Sequence, residues 1–155
     1  MIFLKTDEEV ELMRQSNILL GKTFAELAKV IKPGVTTAEL DKVAYEFIMD
    51  NGGKPSCLGY EGFPATLCTS VNEQVVHGIP SDKVVLKDGD IISVDSCILL
   101  NGFHSDSAYT FPVGDVKPEV MQLLRTTKEA LYLGIEQAIT GRRLGDIGAT
   151  IQTHC

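Results

Sequence analysis

The chain has 155 residues, of which 44% are hydrophobic and 23% are charged. That length suits one domain with its own core, and the composition is ordinary for a soluble globular protein. The formal net charge of −7 argues against a nucleic acid or an anionic membrane as a partner.

Two helices are predicted in the first third of the chain. Thr6-Asp7-Glu8-Glu9 has the pattern of a capping box, and Pro33-Gly34 is expected to end the helix that it opens. Thr36 to Glu39 forms a second capping box, and Asn51-Gly52-Gly53 is expected to close the second helix. The apolar stripe of the first helix consists of Met13, Leu20, Phe24, Leu27 and Ile31.

A β-rich segment is expected from about residue 57 to residue 111, followed by two more helices. Pro118 suits the first position of the third helix, and a fourth helix begins after Gly141. The stripe of the third helix consists of Met121, Leu124, Leu131, Ile135 and Ala138. The order favours an internal repeat, because IKPGVTTAELDKVA aligns weakly with AITGRRLGDIGATI. Chance similarity between two amphipathic helix pairs is the alternative.

Asn101-Gly102 is a strong signal for a two-residue hairpin. A reversal there places Cys97 opposite Asp106, with Asp95 one diagonal away on the same, mainly polar face. Diagonal Cβ atoms lie roughly 7 Å apart, so the two carboxylates can hold one or two cations between them. Without a cation, the two like charges would repel. A solvated polar face that binds no metal fits the spacing equally well.

The cysteines and the two ends of the chain indicate the cellular compartment and the extent of the protein. The four cysteines include no Cys-x-x-Cys pair, which argues against a structural zinc knuckle. The N-terminus turns acidic too early for a signal peptide, and no apolar run is long enough to span a bilayer. We therefore expect a cytoplasmic protein with reduced thiols. The sequence stops at Cys155 inside a helical pattern without a C-cap signal, and we expect it to be part of a longer protein.

Three segments resemble type I methionine aminopeptidases. Residues 88–114, DGDIISVDSCILLNGFHSDSAYTFPVG, resemble the first metal-binding hairpin of that family. Residues 57–82, CLGYEGFPATLCTSVNEQVVHGIPSD, resemble its substrate-pocket segment, and GRRLGDIGATIQ resembles a later helix start. Prolidase-like relatives share the two hairpin aspartates, whereas the combination with FPATLCTSVNEQVVHGIP is specific to the methionine enzymes.

The resemblance implies an α/β (α+β) pita-bread fold, in which two pseudo-symmetric halves surround a dinuclear metal site. Residues 1–155 would form a single partial catalytic domain. Residues 1–114 would be the complete first pseudo-repeat, and residues 115–155 would be the two helices that open the second. Two aspartates, a histidine and two glutamates hold the metals in such enzymes. By resemblance, Asp95 and Asp106 are the aspartates, and the other ligands would follow Cys155, together with a second active-site histidine.

The resemblance also assigns residues that would contact the substrate. His77 matches a histidine beside the metals and would be both catalytic and substrate-binding. A lone histidine next to a Gly-Ile-Pro turn is, however, more often a surface or packing residue. Cys57, Tyr60, Phe63 and Cys68 match the pocket for the methionine side chain, where soft and aromatic walls suit a thioether. Ordinary core packing is the alternative for these four.

Five further positions lie in the matching segments. Asn72 and Gln74 fall where the family can bind one monovalent cation through backbone carbonyls. Glu61 stands where many members have histidine, and Ser105 stands where glycine is common before the second aspartate. Both are expected beside the site, where they could alter substrate or metal preference. His104 shares the metal-side face, but its counterpart is not a ligand, so we expect it to have a supporting or structural role.

The resemblance implies a metalloprotease, a hydrolase that removes the initiator methionine from nascent proteins. It would use two divalent ions of unknown identity (Co, Mn, Fe, Zn or Ni). Its partners would be N-terminal Met peptides of nascent chains, including those at the ribosome, and the full-length enzyme would be a monomer without DNA or membrane partners.

The 155-residue chain alone is expected to bind metal poorly, to show little or no activity, and to self-associate through an uncovered sheet face. Two alternatives remain for the function. One is an X-Pro aminopeptidase or prolidase-like peptidase, and the other is a non-catalytic pita-bread binding module.

Overall fold

The computed structural model of the protein describes residues 2–155. The chain divides into two compact units, one ending at Asp115 and the other beginning at Val116. This division lies beside the expected boundary between pseudo-repeats, whose symmetry stays a prediction. Within residues 2–155, no helix combines the length and the apolar character that crossing a bilayer requires.

Two helices, α1 (Asp7–Val30) and α2 (Thr37–Asp50), open the first unit, and both begin at the predicted capping boxes. The Thr6 hydroxyl accepts a hydrogen bond from Glu9 N at 3.2 Å, while the Glu9 carboxylate accepts one from Thr6 N at 2.9 Å. α1 ends just before Pro33-Gly34 because Ile31 is already extended, with ψ at 111°. α2 closes at Asn51 as predicted.

A four-stranded antiparallel sheet completes the first unit. The central strand β3 pairs with β4 through the predicted hairpin, with Leu100 opposite Phe103. β1 and β2 pair with separate stretches of β3, at residues 98–99 and 92–96. The strands are β1 (Lys54–Pro55), β2 (Leu67–Val71), β3 (Ile91–Leu100) and β4 (Phe103–Pro112).

β3 alternates between two environments, as the two-residue period of a strand requires. Its even-numbered residues from Ile92 to Ile98 are buried, and Ile92, Val94 and Ile98 belong to the core. Its odd-numbered residues, including Asp95 and Cys97, are only half-buried on the opposite face. Helices α1 and α2 add six core side chains, namely Leu19, Leu20, Leu27, Leu40, Ala44 and Ile48, and Leu67, Leu86, Phe111 and Val113 complete the two core clusters.

Ser105 lies on the helix-packed face of β4, not beside the aspartates. It pairs with Ile98, and its hydroxyl lies 2.9 Å from the hydroxyl of Ser16 on α1. The expectation that Ser105 sits next to the site is therefore wrong, because adjacent residues of a strand face opposite sides.

The second unit contains α3 (Pro118–Glu136) and α4 (Leu144–His154). Pro118 occupies the predicted start of α3, but Ala138 lies beyond the end of the helix. Leu131 and Ile135 are each 56% exposed, so the predicted stripe is not buried along its whole length. Helix α4 packs closely against α3 at Gly134. A Cβ added to Gly134 would lie only 2.9 Å from the Ile151 side chain.

Candidate metal centre

The β3–β4 hairpin gathers three groups that can bind a metal. Cys97 lies directly opposite Asp106, and Asp95 precedes Cys97 by two residues on the same strand face. One potential ligand atom from each of these residues lies within 4.8 Å of the other two. Asp95 and Cys97 are half-buried, whereas Asp106 is exposed. The structure thus brings the two predicted aspartates together and adds a thiol between them.

The carboxylate pair is electrostatically unfavourable without a cation. Burial raises the pKa of the Asp95 carboxyl, and the negative charge of Asp106 raises it further, while His77 lowers it in part. The ion pairs found within residues 2–155 join side chains that lie on helices, and neither hairpin aspartate takes part in them. A divalent ion would offset the repulsion, so the donor set fits a metal.

His77 is positioned by its neighbour Gly78, which lies against β2. Thr69 N donates to Gly78 O at 2.7 Å, and Gly78 N donates to Ser70 Oγ at 3.2 Å. A Cβ on Gly78 would lie 2.1 Å from Thr69 O, so only glycine fits this approach. His77 itself has a positive φ of 58° and is exposed. Its effect on the pKa of Asp95 places it near the hairpin carboxylates.

Two predicted pocket cysteines join the hairpin cluster. Cys68 on β2 pairs with Asp95 on β3. Burial raises the pKa of the Cys68 thiol to about 11, and the nearby Asp95 and Cys57 add to this rise. Burial and contact with Cys57 likewise raise the pKa of the Cys97 thiol. Three thiols and two carboxylates therefore share one region of the sheet.

The two predicted aromatic pocket residues lie at a short 3₁₀ turn, Tyr60–Gly62. Tyr60 N donates to Cys57 O at 3.1 Å, which ties this turn to the cysteine cluster. The Tyr60 side chain is 68% exposed, so it is not a core residue. Phe63, which ends the turn, is half-buried, and Glu61 is exposed with a φ of 47°.

Asp41 on α2, which the sequence did not single out, holds the start of β2. Its Oδ1 accepts hydrogen bonds from Thr66 N at 2.9 Å and from Leu67 N at 2.7 Å. Burial raises the pKa of this carboxyl, although the two hydrogen bonds act in the opposite direction. Asp41 thus fixes the strand that carries Cys68.

Two other predicted positions make local contacts. His104 Nδ1 lies 2.9 Å from Ser56 Oγ, a contact suited to the structural role expected for it. Asn72 donates through Nδ2 to Asp90 Oδ1 at 2.8 Å and accepts from Ile91 N at 3.1 Å. These bonds close the loop between β2 and β3, while a monovalent cation on the backbone carbonyls of Asn72 and Gln74 stays a prediction.

Comparison with known proteins gives a consistent result. Residues 11–155 match metallopeptidase family M24. A methionine aminopeptidase of Clostridium acetobutylicum is 49% identical over 154 residues, covering 99% of this chain and 62% of that protein. The crystal structure of methionine aminopeptidase from Rickettsia prowazekii has a TM-score of 0.96 and 38% identity, covering 99% of this chain and 62% of that one.

The Xaa-Pro dipeptidase of Bacillus anthracis has a TM-score of 0.83 at 21% identity, covering 97% of this chain and 41% of that one, and it shares the fold alone. These neighbours confirm the expected pita-bread fold. The chain spans 62% of the length of both methionine aminopeptidases named above.

Proposed function

Since the chain belongs to metallopeptidase family M24, we propose that it forms part of a metal-dependent aminopeptidase that removes the N-terminal methionine from nascent proteins. The observation that carries this proposal is the 49% identity to a methionine aminopeptidase over 99% of the chain. Its substrates would be N-terminal Met peptides in the cytoplasm, and the enzyme would act on nascent chains as they leave the ribosome. We propose a monomer for the complete enzyme.

Asp95 and Asp106 would hold the divalent ions. Carboxylate oxygens suit hard ions such as Mn²⁺ and Fe²⁺, and Co²⁺ is also workable. When bound, the ions supply a water of lowered pKa and polarise the scissile carbonyl. The strands hold both carboxylates in a fixed register, which keeps the ligand geometry constant between substrates.

The remaining site residues would bind and orient the substrate. His77 is exposed and near Asp95, so its ring can hydrogen-bond to the substrate backbone or move a proton next to the metal site. Cys57, Tyr60, Phe63 and Cys68 would form the wall around the methionine side chain, because sulfur and aromatic groups pack favourably against a thioether. A monovalent cation on the backbone carbonyls of Asn72 and Gln74 would support the loop between β2 and β3.

The test is a comparison of peptides with the protein expressed from its complete coding sequence. The proposal is supported if the protein releases methionine from Met-Ala-Ser. EDTA should stop this release, and Mn²⁺, Fe²⁺ or Co²⁺ should restore it. Cleavage of an X-Pro peptide in preference to the Met peptide would favour a prolidase-like enzyme. No cleavage of either with any metal would favour a binding module. We expect the 155-residue chain alone to give little turnover.

A further inference from the structure

A thiol lies among the carboxylates of the hairpin. Cys97 faces Asp106 across the strand pair and shares its strand face with Asp95. The potential ligand atoms of the three residues lie within 4.8 Å of one another. Metal–sulfur bonds of about 2.3 Å and metal–oxygen bonds of about 2.2 Å place three donors around one ion at a mean separation of no more than about 3.9 Å. Side-chain adjustments of up to about 1 Å would bring all three donors onto one ion.

We propose that Cys97 is a sulfur ligand of the divalent ion held by Asp95 and Asp106. The inference rests on the proposed metal site and specifies which ions that site prefers. A thiolate beside two carboxylates shifts selectivity from hard ions such as Mn²⁺ toward softer ones such as Zn²⁺, Co²⁺ and Cd²⁺. Membership of a metallopeptidase family points to a metal independently of this geometry.

The backbone around Cys97 holds the sulfur in place. The residue belongs to a ten-residue strand that is paired on both edges, and Ser56 N donates to Cys97 O at 2.8 Å. Its thiol contacts the Asp106 carboxylate and the Cys57 thiol. The ligand atom is therefore fixed as rigidly as the carboxylates are, and no loop movement is needed to deliver it.

The other cysteines are less suited to this role. Cys68 is 6% exposed and lies on β2, outside the hairpin that carries the carboxylates. Cys57 lies in the loop that follows β1 and contacts Cys97. Cys155 is exposed beyond the end of α4, so it serves as the control for thiols that bind metal without a site.

The test is a Co²⁺ titration of the protein expressed from its complete coding sequence, followed by absorption spectroscopy. Thiolate coordination gives a charge-transfer band in the near ultraviolet, whereas the visible bands report bound Co²⁺ whatever its ligands. We expect both signals in the wild type and in Cys155→Ser. Cys97→Ser should keep the visible bands, lose the near-ultraviolet band, and shift the preference for Co²⁺ over Mn²⁺ about tenfold toward Mn²⁺ in competition.

Each other outcome contradicts a defined part of the inference. Visible bands without a charge-transfer band in the wild type would show a metal site that lacks the thiolate. A band that survives in Cys97→Ser and disappears in Cys57→Ser or Cys68→Ser would assign the ligand to another cysteine. No response of the wild type to millimolar Co²⁺ would remove the metal site and this inference together. Asp106→Asn serves as the reference for that loss, and circular dichroism checks the fold of every variant.

Discussion

The hydroxyl of Ser16 on α1 lies 2.9 Å from the hydroxyl of Ser105 on β4, and both side chains are buried. Both hydroxyls also reach backbone oxygens, since Ser16 Oγ lies 3.3 Å from Ile98 O and Ser105 Oγ lies 3.2 Å from Ser16 O. This polar contact joins the first helix to the hairpin that carries Asp106. The helix therefore supports the candidate metal site from the opposite face of the sheet.

Removing either hydroxyl should destabilise the chain. We expect Ser16→Ala and Ser105→Ala each to lower the free energy of unfolding by about 1–2 kcal/mol, because each leaves a buried partner poorly satisfied. The double variant should lose less than the sum, by about 1 kcal/mol. Urea unfolding measures this cycle, with the exposed Ser107→Ala as the control. Additive losses would show that the hydroxyls do not depend on each other.

Gly78 should not tolerate a side chain. In Gly78→Ala the new Cβ would lie 2.1 Å from Thr69 O, so the segment must leave β2 and take His77 with it. We expect a loss of about 2 kcal/mol or more in unfolding free energy and a loss of methionine release by the complete enzyme.

The matched control for this change is Gly148→Ala. Gly148 lies inside α4, and a Cβ added there would meet no atom within 4 Å, so alanine should stabilise the helix by about 0.5–1 kcal/mol. A Gly78→Ala variant with normal stability and activity would show that the close approach to Thr69 is not required.

Asp41 should make the stability of the chain depend on pH. Because the pKa of its carboxyl is raised by burial in the folded state, the folded state binds this proton more tightly than the unfolded state does. Its contribution to stability is therefore greatest below the ordinary value of 3.8, falls as the pH rises through the raised value, and is constant above it.

Two substitutions separate the charge of Asp41 from its hydrogen bonds. Asp41→Asn keeps the accepting oxygen and removes the charge, so it should flatten this part of the pH profile. Asp41→Ala leaves Thr66 N and Leu67 N without their acceptor and should cost about 1–3 kcal/mol. Urea unfolding at a series of pH values, with the exposed Asp82→Asn as the control, gives both results. Equal profiles for Asp41→Asn and the wild type would rule out this carboxyl as the source.

Metal should stabilise the folded chain through the hairpin aspartates. For the protein expressed from its complete coding sequence, we expect the melting temperature of the wild type to rise with Co²⁺ and to return after EDTA, with a gain of about 2.7 kcal/mol at a hundredfold excess over Kd. Asp106→Asn should show no such rise. In the absence of metal it should match or exceed the wild type in stability, because it removes the charge that opposes Asp95. A Co²⁺-dependent rise in Asp106→Asn as large as that of the wild type would exclude this site.

Local signals in the sequence predicted much of this fold. Thr6 and Thr36 marked the helix starts, and Asn101-Gly102 fixed the register that sets Cys97 opposite Asp106. The structure pairs Ser105 with Ile98, whereas the nearness of Ser105 to Asp106 in sequence suggested a place beside the site. Strand geometry outweighs sequence adjacency in such a case.

Contacts between residues that are far apart in the chain could not be predicted from the sequence. The bonds from Asp41 to the start of β2 join residues that no local pattern links, because a polar residue on a helix gives no sign of its partner. In the same way, helical periodicity placed Leu131 and Ile135 on one apolar face, but it did not predict whether that face is buried.

The alternation along β3 has an evolutionary consequence. Adding or deleting one residue in this strand would expose Ile92 and Val94 to solvent and place Asp95 in the hydrophobic core. Such a change of register would disrupt both the core packing and the candidate metal site. We therefore expect the length of this strand to be constrained more tightly than the identity of its half-buried side chains, such as Cys97.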